Sequence, residues 1–340
     1  MYPRNEHPTK KVSRQEKFVS IVLPAYNEAE NLPMLVQRLS QILKPYPRHE
    51  ILVVDDGSSD GTRPVLEQLR RQYPALHFLS FSRNFGHQAA LRAGYEHAKG
   101  DCVISLDADG QHPPELIPAL IRQWQNGYDV VATKRREDPN LPLFKRITSR
   151  FFYKLIRSVS ELELEEGSSD FRLLDRKVID ALKQHKEADL FLRGLVSWIG
   201  FRQCRLVYEP AARHAGKSKY SLLKMLKLAL GGITSFSIRP LFISVFLGFG
   251  MSLFAGLFGL EVLYEKYFTN ATVSGWTSII LLMVMIGGFQ FIMIGIIGVY
   301  LGKTFQQVKQ RPSYLVDKSS YVDELIYEEW TPVLTESYLQ

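Results

Sequence analysis

Apolar and polar positions follow two alternating periods up to about residue 210, then give way to long uninterrupted apolar runs. FVSIVLPAY, residues 18–26, is a continuous apolar run that stops at a turn. ENLPMLVQRLSQIL follows with Leu32, Leu35, Leu39 and Ile42 at helical spacing. EILVVDDGSSDGT is a second apolar run, ending in a loop of carboxylates and glycines. A helix over PVLEQLRRQY, a strand over LHFLSFS, a helix over HQAALRAGYEHAKG and a strand in DCVISLD come next. Strands alternating with helices predict an α/β unit, a parallel sheet with helices on both faces. Ligands of such sheets bind beyond the carboxyl ends of the strands. Three polar strand ends then converge on one crevice: Pro24 to Glu28, Asp55 to Thr62, and Asp107-Ala108-Asp109.

The second half changes character. Leu241 to Leu260 and Thr277 to Gly302 contain no charged residue. Each is long enough to cross a hydrocarbon core of about 30 Å as a helix. The connection carries Glu261, Glu265 and Lys266. The outer flanks carry Lys217, Lys219, Lys224, Lys227 and Arg239 on one side, and Lys303, Lys309 and Arg311 on the other. The bias of basic residues predicts cytoplasmic N- and C-termini and an external hairpin tip. Gly248, Gly256, Gly259, Gly287, Gly288 and the pair Gly298 and Gly302 let helices approach closely, within the hairpin or in a homo-oligomer. Residues 143–159 and 219–238 mix Lys and Arg with Phe, Leu and Ile at helical spacing, as interfacial helices do.

The predicted organisation is a polar arm (1–17), a catalytic domain (18–218), an interfacial helix (219–238), a transmembrane hairpin (239–304, spans near 241–262 and 277–302) and a cytoplasmic tail (305–340) that is assigned no chemistry. Residues 1–17 lack the apolar segment of a cleavable signal peptide. The formal net charge of +7 suits an anionic membrane surface but discriminates weakly. Two cysteines, Cys102 and Cys204, make neither a disulfide framework nor a structural zinc site, and fit a reducing compartment. No His-x-x-x-His spacing occurs, so His87, His97, His112 and His214 read as polar surface or loop residues. RKVIDALKQHKEADL reads as a solvated helix.

ISLDADGQHPPE, residues 104–115, sets two carboxylates one residue apart where a buried strand stops. Alone it fits a solvated turn or a divalent-cation site. Three acidic loops at successive strand ends favour a site. Neither Gly-x-x-x-x-Gly-Lys nor Gly-x-Gly-x-x-Gly occurs here, so a glycine cradle for phosphate is not expected. A metal on acidic side chains remains as the means of neutralising a diphosphate. Carboxylates in the first two loops accept hydrogen bonds from a base and a ribose. The ligand expected is a nucleoside diphosphate with a group attached.

VSIVLPAYNEAENL, ILVVDDGSSDGT, SRNFGHQAALRAGYEHAKGD and ISLDADGQHPPE resemble the family 2 inverting glycosyltransferases of GT-A fold. With SDFRLLDR, RHAGKSKYS and the hairpin, the chain resembles their polyprenyl-phosphate branch, bactoprenol glucosyltransferases and dolichyl-phosphate mannose synthases, over residues 18–305. The resemblance implies an integral membrane enzyme of a bacterial inner or plasma membrane. Its partners are a nucleotide-sugar donor, a polyprenyl phosphate acceptor and membrane lipids, with no nucleic acid. Pro24, Tyr26, Glu28, Asp55, Asp56, Asp107 and Ala108 would hold the donor. Asp107 and Asp109, with Gln111, would hold Mg2+ or Mn2+. Lys134, Arg146, Ser149, Arg172 and Arg213 would meet the acceptor phosphate, with Lys217 and Lys219 in a segment that closes over the donor. Ala215 stands where glucosyl members often carry an aromatic, which bears on how that segment packs. Asp170 takes the position usually offered as the catalytic base. A phosphate monoester, with a second pKa of about 6, is already mostly dianionic at neutral pH. Asp170 is therefore expected to orient basic residues and stabilise positive charge on the sugar. The reaction implied is transfer of a hexose, glucose from UDP-glucose, to undecaprenyl phosphate. The alternatives are another donor (GDP-mannose, UDP-GlcNAc or a UDP-aminosugar) and a non-catalytic sugar-nucleotide-binding membrane subunit.

Overall fold

The computed structural model describes residues 17–135, 168–185, 192–208, 237–264, 268 and 275–321. The stretches 143–159 and 219–236, expected as interfacial helices, lie outside them. In chain order the elements are β1 (Val19–Ala25), α1 (Leu32–Ile42), β2 (His49–Asp55), α2 (Thr62–Gln72), β3 (Leu76–Phe81), α3 (His87–His97), β4 (Cys102–Ser105), α4 (Ile117–Gln125) and β5 (Val130–Arg135). They continue with β6 (Ser168–Asp175), α5 (Arg176–Lys183), α6 (Leu192–Trp198), β7 (Gln203–Tyr208), α7 (Arg239–Tyr264), α8 (Trp276–Val308) and β8 (Val316–Ser319).

The strands form one sheet in the order β7-β5-β6-β4-β1-β2-β3-β8. β1 is central and buried along its whole length, which is why it reads as an unbroken apolar run. Its side chains alternate between faces. Ile21 and Leu23 pack with α1, α2 and α4 residues Leu35, Leu39, Leu66, Leu120 and Trp124. Val22 points the other way, to Leu91 and Tyr95 of α3, Ile179 of α5 and Leu195 of α6. α3 lies unusually close to β1. A Cβ at Gly94 would sit 2.2 Å from Val22 Cγ1. Gly94→Ala is therefore expected to lower stability by about 1–3 kcal/mol, read as a drop in thermal midpoint.

The GT-A-like mixed α/β architecture agrees with the sequence reading, with two departures from an all-parallel sheet. β6 runs antiparallel to both β4 and β5. β8 is antiparallel to β3. The helix expected to be solvated is α5, and it buries Val178, Ile179 and Leu182. Its charges at Arg176, Lys177, Asp180 and Lys183 mask a three-residue apolar stripe.

α7 and α8 are the long apolar helices. Their most apolar stretches, Arg239–Glu261 and Leu282–Val308, have mean hydropathies of 2.2 and 2.3. Phe246, Phe249 and Phe291 are among their exposed side chains. Both helices are long and apolar enough to cross a membrane. Beyond α8 the chain returns to the sheet. Tyr314 stacks on Phe81 at 5.0 Å and donates its hydroxyl to Glu96 at 2.6 Å. β8 then covers the open edge of β3. Tyr321 follows, stacked on His77 and donating to the buried Glu50 carboxylate at 2.8 Å. Glu50 also accepts from Ser20 Oγ and the Lys99 N–H, so its burial is compensated.

Candidate active site

The carboxyl ends of β1, β2 and β4 carry the polar loops, and bonds between backbone N–H groups and side chains join the first two. Asn27 takes a left-handed conformation at φ 58°. Its side-chain carbonyl accepts the Ser59 N–H at 2.9 Å, and its N–H donates to Ser58 Oγ at 2.9 Å. The Glu28 N–H donates to Thr62 Oγ1. Asp55 is buried and accepts the Ser58 N–H. Asp56 is also buried, and it accepts the N–H groups of Phe85 and Gly86 at 2.7 and 2.9 Å. Gly57, at φ 66°, lets this loop meet the Arg83 backbone, where a Cβ would overlap the Arg83 carbonyl carbon. Asp56 and Gly57 thus hold the turn that presents His87 at the start of α3.

Glu28 faces the acidic loop of β4. Partial burial pushes its carboxyl above the usual range, against an Asn31 hydrogen bond, and the carboxylates of Asp109, Asp60 and Asp107 add to the rise. Asp107 Oδ2 lies 3.0 Å from His112 Nε2, and His112 Nδ1 lies 2.8 Å from the Tyr208 hydroxyl. An imidazole donating through Nε2 and accepting at Nδ1 satisfies both contacts. Asp107 is held below the usual carboxylate range: burial opposes this, but the His112 hydrogen bond and the charges of His87 and His112 prevail. Among the described residues its Oδ1 is buried with no hydrogen-bond donor, and His87 Nε2 is 3.6 Å away. Asp109 accepts from the Gln111 N–H at 3.0 Å and from its side-chain amide. Ala108, between the two carboxylates, is buried.

The antiparallel run of β6 brings a fourth carboxylate. Arg172 pairs with Ser105 at the end of β4, so Asp170 lies beyond the carboxyl end of that strand. Ser105 Oγ fixes it by donating to the Asp170 carbonyl. The Asp170 carboxylate receives four N–H groups from three side chains. Arg193 forks onto it, Nε to Oδ1 at 2.9 Å and Nη2 to Oδ2 at 2.8 Å. Arg172 Nη2 reaches Oδ1 at 3.0 Å and His87 Nε2 reaches Oδ2 at 3.2 Å. Burial alone would raise its pKa. The His87 and Arg193 hydrogen bonds and the two guanidinium charges hold it well below the usual range. Burial pushes His87 down, but its hydrogen bond to Asp170 and the charges of Asp107 and Asp170 outweigh this and hold it above the usual imidazole value.

Of the residues expected from sequence, the structure gathers Glu28, Asp107, Asp109, Gln111 and Asp170 at one end of the sheet. Pro24 pairs with Val54 inside the sheet and Tyr26 is exposed. Lys134, late in β5, pairs with Ser168 at the same end. Arg172 is buried beneath Asp170, also donating to the Ser169 carbonyl. Arg146, Ser149, Arg213, Lys217 and Lys219 lie outside the described residues, as does His214. His87 and His112 were expected to be surface or loop residues. His87 is exposed and His112 lies in a loop, in line with that reading, but His87 also contacts Asp170, and His112 is buried between Asp107 and Tyr208. Arg193 and Tyr208 were not anticipated. His87 had one readable signal, its place after the glycine at the strand-to-helix turn of SRNFGH. Arg193, Tyr208 and His112 had none.

The oxygen-rich donor set fits a hard divalent cation, and the orphaned Asp107 Oδ1 points to one. Among the described residues no three His, Cys, Asp or Glu side chains form a protein-only cage.

Residues 20–183 match the profile of glycosyl transferase family 2. The uncharacterized glycosyltransferase YkcC of Bacillus subtilis is 41% identical over 301 residues, spanning 88% of this chain and 93% of that protein. The bactoprenol glucosyl transferase of Shigella phage SfII is 40% identical over 303 residues, spanning 88% and 98%. The prophage bactoprenol glucosyl transferase homolog of Escherichia coli K12 is 38% identical, with the same two shares. Among solved structures, glucosyl-3-phosphoglycerate synthase from Mycobacterium tuberculosis aligns at 19% identity and a TM-score of 0.45, over 68% of this chain and 85% of that one.

Proposed function

The chain belongs to glycosyl transferase family 2, and from that premise we propose that it transfers a hexose from a nucleotide sugar to a polyprenyl phosphate at the cytoplasmic face of a membrane. The preferred substrates are UDP-glucose and undecaprenyl phosphate. The observation that carries this reading is the union, in one chain, of the Glu28–Asp107–Asp109 crevice with two exposed apolar helices. The names of the full-length relatives support it. In this reading α7 and α8 span the bilayer with both ends of the chain cytoplasmic. The glycines of α7 and α8, at most of which an added Cβ would meet nothing within 4 Å, leave room for a second copy of the chain.

An acceptor phosphate oxygen attacks the anomeric carbon. The bond from that carbon to the diphosphate breaks with inversion, and its electron pair leaves with the nucleoside diphosphate. Asp107 and Asp109, with Gln111, would hold Mg2+ or Mn2+, which supplies charge neutralisation of the departing diphosphate. Asp55 and Asp56 shape the loops beside the nucleoside, and Glu28 accepts from its hydroxyl or N–H groups. Asp170 is ionised throughout the neutral range and saturated with donors, so it positions cationic side chains and takes no proton.

The test is entry of radiolabelled sugar into organic-extractable lipid by the purified full chain in detergent with undecaprenyl phosphate. UDP-glucose, UDP-GlcNAc, UDP-galactose and GDP-mannose are supplied in parallel. Label from UDP-glucose alone, lost with EDTA and restored by Mg2+ or Mn2+, is the expected result. Label from a different donor corrects the sugar. No label from any donor, with nucleotide still bound, overturns transfer in favour of a binding subunit.

A further inference from the structure

Asp170 is 3% exposed, and two side chains that donate to it are far more open: Arg193 at 36% and His87 at 42%. The third, Arg172, is 5% exposed. The carboxylate therefore lies beneath a guanidinium and an imidazole that meet solvent, with a second guanidinium buried beside it. Arg172 is enclosed with its carboxylate, so Arg193 is the guanidinium of the two that meets solvent. Its orientation is fixed twice. The fork onto Asp170 sets the plane of the guanidinium. The Leu192 N–H, donating to Gln88 Oε1 at 3.1 Å, ties the start of α6 to the start of α3 beside His87.

We propose that Arg193 is a phosphate-binding residue of the crevice, and that Asp170 is the positioning residue that aims it. This rests on the glycosyltransferase reading and adds to it a residue that motif reasoning does not reach. Two phosphate groups enter this crevice in that reaction, the acceptor monoester and the donor diphosphate. Both are dense anions approaching a floor that already carries Glu28, Asp107, Asp109 and Asp170. A planar guanidinium, pre-oriented by a carboxylate, suits a phosphate oxyanion better than a flexible ammonium does. Arg193 contacts one of the two phosphates in the same chemistry, and the arms of the test separate them.

The experiment measures calorimetric binding of UDP and, separately, of farnesyl phosphate to the full chain in detergent. Wild type, Arg193→Gln and Arg193→Lys are compared, with thermal midpoints recorded. Loss of a charged hydrogen-bonding partner is expected to weaken one ligand by about ten- to a hundredfold in the Gln variant, while the other stays within about twofold. Weakened farnesyl phosphate assigns Arg193 to the acceptor, and weakened UDP to the donor diphosphate. Lys, keeping charge without the fork, falls between. Both ligands binding Arg193→Gln as tightly as wild type, at an unchanged midpoint, overturns the inference. Should the Gln variant fail to fold, the Lys variant decides: unchanged affinity for both ligands overturns it, and a selective several-fold loss supports it. Binding is read without turnover. A wild-type protein that binds both phosphates but transfers no sugar therefore defeats the transferase reading and leaves the Arg193 result standing.

Discussion

Asp109→Ala is expected to cut sugar transfer by about two to three orders of magnitude, the scale of losing one preorganised contact to developing charge. Asp109 is held in shape by Gln111 at both oxygens and is only partly buried, outside the core cluster. The variant should therefore fold. Its expected signature is retained nucleotide binding with loss of the metal-dependent part, so that EDTA weakens UDP in wild type and has little further effect in the variant. Equal transfer by Asp109→Ala and wild type would remove the metal from the mechanism.

Asp170→Asn carries the second large effect, and its pH profile matters more than its size. A base keeps a high-pH plateau when replaced, because the acceptor ionises without help. A positioning carboxylate loses rate at every pH. The expectation is a fall of about a hundredfold, uniform from pH 5 to 9, on the scale of removing a group that supports the reacting contacts. Recovery at high pH would restore the base assignment. Asp170→Ala goes further, because it strands Arg172 in a buried setting, and a loss of about 3–5 kcal/mol in stability is expected. Asp170 titrates lower folded than unfolded. Its stabilisation is complete above the unfolded value of about 3.9 and disappears as pH falls through the depressed folded value. Stability at neutral pH should therefore show no slope from this group.

The front half of the sheet was legible because β1, β2 and β3 are buried on both faces and read as apolar runs, with α1 to α3 periodic between them. The acidic strand ends were legible for a related reason. Polar loops at the carboxyl ends of a doubly wound sheet have one common place to go. β6 was harder, since SSDFRLLD carries two carboxylates and an arginine in a strand. It tolerates them because Asp170 pairs with Arg172 and with Arg193 of α6, while Asp175 accepts from Trp124 Nε1 and caps α5. Arg193 was invisible for the same reason, since its partner is close only after β6 has turned antiparallel. His112 read as polar because sequence cannot show that Asp107 and Tyr208 close on it from 5 and 96 residues away. Residues 305–340 read as a tail because VDKS is short and charged, as exposed edge strands are.

That last strand sets the order in which the protein can be made. Phe78 finds its partner Ser320 242 residues later, and Glu50 waits 271 residues for Tyr321. At about 5–20 residues per second, the ribosome needs roughly ten to fifty seconds to supply them. Throughout that interval β3 offers a bare edge, and in the membrane-spanning reading proposed above both apolar helices enter the bilayer before it closes. On that reading, completion of the sheet is a record that insertion has succeeded. A nascent chain whose hairpin stalls keeps an open edge and a carboxylate short of one donor, the kind of surface that quality-control proteases and chaperones engage.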